Sequence, residues 1–372
     1  MQNSGERHTG NAYAVIMAGG RGERFWPQSR LSHPKQLLRL LGNLTLIELT
    51  AERLQTLFDP SRIIVITNDD YVAPMRSLMS NIPGSNIIGE PAGRDTAPCA
   101  ALAAAYIRSV SKEENPLICL LPADHLINDV QAFTGVIQDS LDLARASGRF
   151  VTIGVKPTFA STGYGYIETA EALNYSFRTK FNEGCSFKEK PDAELAEKYL
   201  ASGRYKWNSG IFIMPQDSLL RAFEQHAPDL SAFYEDLLDY FMGEGTKGVT
   251  LEDIYGKVRK ISIDYAIMEK VKNLAVAECT FDWDDVGSWT SMRNQIRPES
   301  NNNVVRGLHL GIDTKDCIVV GTPKHLIATV DIEDTIIVHT EDATLVCNGK
   351  SAQRIKELVQ LIASKPELES FL

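Results

Sequence analysis

Five short apolar runs alternate with four stretches of helical periodicity across the first 155 residues. The spacing predicts strands over 13–18, 63–67, 86–89, 117–121 and 150–155, and helices over 45–58, 72–80, 96–110 and 132–146. The runs are apolar on both faces and rich in Val and Ile, as parallel strands covered by helices on either side must be. Such alternation dictates an α/β chain with a doubly wound sheet and right-handed crossovers. Ligands in these sheets bind beyond the C-terminal ends of the strands. The loops after Ala18, Gly89 and Leu121 are therefore the first places to look for chemistry.

Between 156 and 300 the pattern is mixed, with strands expected over 164–168, 186–189 and 207–214 and helices over 192–202, 217–226, 230–241 and 263–271. From 304 onward, short strands at 318–320, 326–330, 336–339 and 343–347 recur at close spacing, as in a few turns of a β-helix. A helix over 352–363 closes the chain. The polar stretch 298–303 marks a boundary, so the expected domains are 1–300 and 301–372. Removing the second is expected to leave the catalytic constellations untouched and to cost assembly, as a homodimer, or stability before it costs chemistry.

With 44% hydrophobic residues, the 372-residue chain can bury a sizeable core. A net charge of −10 and a pI of about 5.3 argue against a nucleic-acid partner. Any phosphate handled here must meet local Arg or Lys, backbone N–H groups or a metal ion. No apolar run reaches the roughly 18 residues of a membrane helix, and the polar start is no signal peptide, so a cytoplasmic protein without a membrane partner is expected. The six cysteines lack CxxC spacing and sit mostly among apolar neighbours, which reads as buried reduced thiols.

Four constellations carry chemical meaning. Gly19, Gly20 and Gly22 follow the first strand and allow a tight turn whose N–H groups converge on phosphate oxygens. Arg21, Arg24 and Lys35 add mobile positive charge. A dinucleotide GxGxxG would need glycine at 25, where Phe25 stands, and a Walker A loop before Lys350 would need it where Thr344 stands. A glycine turn without a ligand remains the plain alternative. Asp124, at the end of the strand over 117–121, suits Mg²⁺ or a helix N-cap. Asp282, Asp284 and Asp285 repel one another unless a cation shared with Asp124 joins them or they point different ways. Glu189 and Lys190, with Asn208, suit a sugar and its phosphate, or form an ordinary strand edge. Alternation sends Glu189 and Lys190 to opposite faces, so serving one ligand together would require a strand end.

In chain order, AGGRGERFWPQSR, PKQ, EPAGRDTAP, LPADH, GYGYI, FKEKP, WNSGIF, IDYAIMEK and WDDVGSW resemble the sugar nucleotidyltransferases. The combination of WPxSR, EPxxRxTAP and FxEKP resembles the mannose-1-phosphate guanylyltransferases among them, over nearly the whole chain. The resemblance implies a Rossmann-like mixed sheet with a partial left-handed β-helix at the C-terminal end. It implies transfer of GMP from GTP to mannose 1-phosphate, with Mg²⁺, giving GDP-mannose and pyrophosphate. Gly19, Gly20, Arg21, Gly22, Arg24 and Lys35 match the triphosphate loop. Asp124 and Asp285 match the metal-binding aspartates. Gly165, Glu189, Lys190 and Asn208 match the sugar-phosphate site, and Glu90, Pro91 and Arg94 a loop near the base. Arg21, Lys35 and Lys190 are then the expected catalytic cations.

Glu23 and Phe25 depart from the family's usual Thr and smaller apolar residue, and Glu23 is expected to point away from the triphosphate. Many members continue into a phosphomannose isomerase domain, and that second activity is not expected here. Other readings are a uridylyl or thymidylyl transferase, a nucleotide-sensing subunit without catalysis, and a dinucleotide-dependent oxidoreductase. Intact Asp124, Lys190 and Asp285 oppose the second of these, and Phe25 opposes the third.

Overall fold

The computed structural model describes residues 9–245 and 247–372. They form two compact units. The first takes in the described residues up to Gly19, Thr50–Ala123 and Ile127–Trp283; the second takes in Gly20–Leu49, Asp124–Leu126 and Asp284–Leu372.

The first unit is built on nine strands: β1 (Ala12–Ala18), β2 (Ile63–Asn68), β3 (Ile87–Glu90), β4 (Leu117–Pro122), β5 (Phe150–Val155), β6 (Tyr166–Ala172), β7 (Phe181–Lys188), β8 (Tyr205–Pro215) and β9 (Leu274–Glu278). They lie in the order β3-β2-β1-β4-β8-β5-β9-β7-β6. Pairing is parallel from β3 to β4, and β8 enters antiparallel between β4 and β5. The sheet is therefore mixed. β1, β2, β4 and β5 are buried at nearly every position, as their two-faced apolar sequences require.

The Ala-rich helix Thr96–Val110 is buried along most of its length, since small side chains allow close approach on several sides. Asp95 caps it, accepting from the Thr96 N–H. The helix Val130–Ser147 starts on an Asp129 cap and stops at left-handed Gly148.

The expected strands up to 155 lie within a residue or so of the observed ones. Two later expectations shift, and one strand of the sheet is unforeseen. The strand foreseen at 186–189 is the last part of β7, which ends at Lys188, so Glu189 and Lys190 lie beyond it. The helix foreseen over 263–271 reduces to the π-type turn Asp264–Met268. The Ile261 and Ile263 N–H groups, which a helix start leaves without intrahelical partners, donate to Arg94 O and Thr96 Oγ1 and tie the start of the turn to another loop. The strand β9, which completes the sheet beside β5, was not foreseen at all.

In the second unit, β10 (Val304–Arg306), β12 (Ile318–Val320) and β14 (Thr335–His339) stack in parallel, as do β11 (Leu308–Ile312) and β13 (Leu326–Val330). β15 (Thr344–Asn348) closes the stack antiparallel to β14. Gly307, at φ 110°, turns β10 into β11; a Cβ there would stand 2.8 Å from the Gly321 carbonyl carbon. The coil does not form a core alone. Val304, Ile318, Val320, Ile336, Val338, Leu345, Ile355 and Ile362 share one cluster with Phe25, Trp26, Leu38, Leu40, Val286 and Trp289. The Phe25 and Trp289 rings lie 5.0 Å apart, and the indole N–H of Trp289 donates to Trp26 O.

The expected boundary at 300/301 is thus a division of the chain that the packing does not follow. The segment after the glycine loop and the segment after Asp284 pack with the coil, because their aromatic side chains help complete its core. Each buried aliphatic side chain contributes about 2 kcal/mol to stability. Truncation after Asn303 would strip eight of them from around Phe25 and Trp289. The truncated chain is expected to lose its cooperative urea transition and its turnover together; a soluble truncation with full turnover would contradict the shared core.

Candidate active site

Each unit holds its own part of the predicted site. In the second unit, the glycine loop enters a short 3-10 turn, Glu23–Phe25, through left-handed Gly22. A Cβ on Gly22 would fall 2.1 Å from Lys35 Cβ, so only glycine lets the lysine stem pass. Lys35 is buried. Its Nζ donates to Asp124 Oδ2 at 2.7 Å and to Asp285 O at 2.8 Å. The mobile charge expected of Lys35 is therefore fixed: a buried ammonium needs such partners. Arg24 Nη1 donates to Gly287 O at 3.0 Å and is similarly held, whereas Arg21 and Gly20 are exposed. Glu23 faces Lys356, 3.9 Å away.

Asp124 and Asp285 flank a two-residue bridge in which Leu126 and Asp284 exchange backbone hydrogen bonds. Burial would raise the Asp124 pKa, but the Lys35 ammonium, with His125, holds it below the usual carboxylate value. The crowded carboxylates do point different ways. Asp282, in the first unit, accepts from the N–H groups of Asn128 and Asp129. Asp284 accepts from Val286 N, Asn294 and Gln295. Lys35 thus gathers the Asp124 carboxylate and the backbone carbonyl of Asp285 about one ammonium. Two carboxylates with substrate phosphates are a common Mg²⁺ ligand set, so these residues fit such an ion.

In the first unit, Glu90 ends β3 and is buried, its Oε1 accepting from Tyr255 Oη at 3.0 Å. Burial pushes its pKa up to about 7; the Tyr255 hydrogen bond opposes this and nearby Asp95 adds to it. A Cβ on Gly19 would lie 3.4 Å from Glu90 Oε2, so the loop backbone passes close to this carboxyl. Pro91 follows Glu90 and is half-buried. Arg94 is also half-buried, and its Nε lacks a hydrogen-bond partner among the described residues.

Gly165, Glu189, Lys190 and Asn208 come together in the same unit. A Cβ on Gly165 would stand 2.5 Å from Glu189 Oε2 and 3.3 Å from Asn208 Cβ. Lys190 Nζ donates to Glu189 Oε1 at 2.7 Å. Alternation does not separate the two, because the strand has ended and Lys190 takes a left-handed φ of 44°. Burial would lower the Lys190 pKa, but the Glu189 carboxylate outweighs it and raises it.

Sequence reasoning missed two members of this group. Asp264 Oδ1 accepts from Asn208 Nδ2 at 3.0 Å, and Glu269 Oε1 accepts from the Glu189 N–H at 3.2 Å. Burial, and then Glu189, push the Asp264 pKa up to about 7. Both lie in the IDYAIMEK stretch that contributes to the family resemblance, but neither drew a role from it beyond a place in the helix expected over 263–271. Tyr255, the partner of Glu90, gave no signal.

Among the described residues no helix is long and apolar enough to cross a membrane. Residues 13–300 match the family model described as Nucleotidyl transferase, and residues 307–362 match the MannoseP isomerase/GMP-like beta-helix domain. A mannose-1-phosphate guanylyltransferase of Escherichia coli is 35% identical over 349 residues, 93% of this chain and 74% of that protein. One of Klebsiella pneumoniae is 36% identical over 359 residues, 95% of this chain and 74% of that protein. The crystal structure of mannose-1-phosphate geranyltransferase from Thermus thermophilus superposes with a TM-score of 0.83 at 33% identity, covering 95% of this chain and 99% of that one. With this match over most of its length, the chain belongs to the nucleotidyl transferase family and is an enzyme of that class.

Proposed function

We propose that the protein transfers GMP from GTP to mannose 1-phosphate, releasing pyrophosphate and forming GDP-mannose. The observation that carries this reading is the Glu189–Lys190–Asn208 group, with Gly165 kept bare of a Cβ beside it. A carboxylate and an amide suit sugar hydroxyls, and an adjacent ammonium suits the phosphate. The mannose-1-phosphate guanylyltransferase names of the relatives support the choice of sugar and base.

A sugar phosphate is already ionised at neutral pH, so its oxygen attacks the α-phosphorus without a general base, and the bond to the pyrophosphate oxygen breaks. Positioning and charge neutralisation supply the rate. Lys190 would leave Glu189 for the phosphate of the sugar, freeing the carboxylate for a hydroxyl. The amides of Gly19, Gly20 and Gly22, with Arg21 and Arg24, would hold the triphosphate. Lys35 would keep Asp124 ionised and Asp285 in place. When bound by Asp124 and Asp285, Mg²⁺ would neutralise phosphate charge. Glu90, in its ionised form, would accept from N1–H and the 2-amino group of guanine, a donor pair that uracil and thymine lack. Pro91 and Arg94 would border the base.

The test is pyrophosphate release from a matrix of GTP, ATP, UTP and dTTP against mannose, glucose and N-acetylglucosamine 1-phosphates. The highest kcat/KM is expected for GTP with mannose 1-phosphate; a higher value for UTP with glucose 1-phosphate would overturn the assignment. Asp124→Asn and Asp285→Asn are each expected to lower kcat about 10²-fold, or to shift the Mg²⁺ dependence to higher concentration. Normal kcat at low Mg²⁺ would remove that residue from the metal site.

The chain is also proposed to pair with a second copy through the coil. Leu308, Leu310, Ile312, Leu326 and Val330 are all exposed, and β11 and β13 hold them in register. A monomer gains nothing from such a row, and two copies bury it by symmetry. Leu310→Lys is expected to halve the sedimenting mass, and a native chain that sediments as a monomer would refute the pairing.

A further inference from the structure

The π-type turn Asp264–Met268 links two groups that the proposed reaction needs. On one side, Ile261 exchanges backbone hydrogen bonds with Arg94 and Ala97, and the Ile263 N–H donates to Thr96 Oγ1. The segment is thereby fastened to the loop after Glu90. On the other side, Asp264 accepts from the Asn208 amide and Glu269 accepts from the Glu189 N–H. The short stretch 261–269 thus holds the side chain of one proposed sugar ligand and the backbone of another. π-turns are rare and concentrate at functional positions.

The Asn208 amide shows what this does. Its Oδ1 accepts from Thr152 Oγ1 at 3.3 Å and Gly210 N at 3.1 Å, and its Nδ2 is claimed by Asp264. With both ends occupied, the amide cannot flip. Asp264 itself stands among Glu189 and Lys190 from the end of β7 and Asp95 from the helix cap, with Tyr265 and Glu269 on its own turn. A carboxyl here has like charges on two sides and one ammonium, which a phosphate would draw away.

We infer that Asp264 is the positioning residue of the sugar-phosphate group, fixing Asn208 and taking up a proton as the sugar phosphate binds. The inference rests on the assignment of this group to the sugar phosphate. The sign follows from the charges. Asp264 titrates near neutrality, at about 7. A phosphate dianion that withdraws Lys190 disfavours the carboxylate, so the bound state holds the proton more tightly than the free state. Binding then weakens as pH rises above 7, by about fivefold between pH 7 and 8 for one linked proton. The sugar phosphate's own second ionisation, near pH 6, is complete across this range.

Two variants separate the roles, measured at saturating GTP with folding checked by circular dichroism. Asp264→Asn keeps an oxygen for the Asn208 amide and cannot titrate. It is expected to hold KM for the sugar phosphate flat from pH 7 to 8.5, while the native enzyme's KM climbs. Asp264→Ala loses the acceptor and is expected to raise that KM about tenfold at every pH with the KM for GTP unchanged. A climb that persists in Asp264→Asn, or an unmoved sugar KM in Asp264→Ala, would overturn the inference. If Asp264→Ala and Lys190→Met both moved the KM for GTP instead, the sugar-phosphate assignment would fall, and the inference with it. If native turnover favoured another sugar 1-phosphate, only the choice of mannose would fall, and the series is read with that sugar.

Discussion

One ammonium organises the chemistry of the second unit. Lys35 reaches Asp124, 89 residues away in the chain, and the backbone of Asp285, 250 residues away. It does so from a buried position that requires glycine at 22 and lies against the Phe25 ring. Burying a charge is tolerable only when it is paired and hydrogen-bonded, so the lysine, the aspartate and the Asp285 carbonyl must be in place together. Loss of the ammonium would leave Asp124 ionised without its counter-charge. The loop glycine, the strand-end aspartate and the WDDVGSW turn are therefore one arrangement, although the sequence presents them as three separate motifs.

Each unit stores backbone strain. Val286, a β-branched residue, sits at φ 47° beside Asp285, fully buried against Trp289. Asp95 and Lys190 also take positive φ beside Arg94 and Glu189. Each such residue costs on the order of 1–3 kcal/mol and persists only where the surroundings fix it. At Val286 the fixing comes from packing and from Asp284, whose side chain accepts the Val286 N–H. At Lys190 it accompanies the ion pair with Glu189. These outliers stand where ligand groups are proposed, consistent with strain being kept for geometry that ordinary backbone does not reach.

Much of this was legible in the sequence. Two-faced apolar runs identify β1, β2, β4 and β5 because burial leaves no polar face to confuse the period. The coil strands β12 to β15 are legible from their spacing, whereas β10 and β11 are not, and Glu90, Asp124 and Glu189 are legible from their places at or just past strand ends. What stayed hidden depends on long-range contacts. Nothing local says that Phe25 and Trp289 complete the coil's core, that the turn after Ser262 is tied at its start to Arg94 and Thr96, or that Asp264 faces Asn208. An aspartate before an apolar stretch has the same sequence signature whether it caps a helix or orders an amide across the sheet.

The energetics of Asp264 and Glu90 argue that these side chains are kept for a ligand. Glu90 is buried and Asp264 half-buried, and both have pKa values pushed up to about 7, whereas an unfolded carboxyl titrates near 4. Between those values the folded chain binds more protons than the unfolded one. Folding stability therefore falls as pH rises through that window and levels off above it. The accumulated loss is on the order of a few kcal/mol for each group, a large share of the roughly 5–15 kcal/mol that holds a domain folded. One hydrogen bond to a charged group, from Asn208 or from Tyr255, returns only about 1.5–3 kcal/mol. An amide at either position would keep an acceptor without the pH-dependent penalty, so packing alone does not account for a carboxyl. A ligand that supplies donors to Glu90, and a phosphate that shifts Lys190 away from Glu189, are the events that would make use of a carboxyl whose proton is free to come and go near neutral pH.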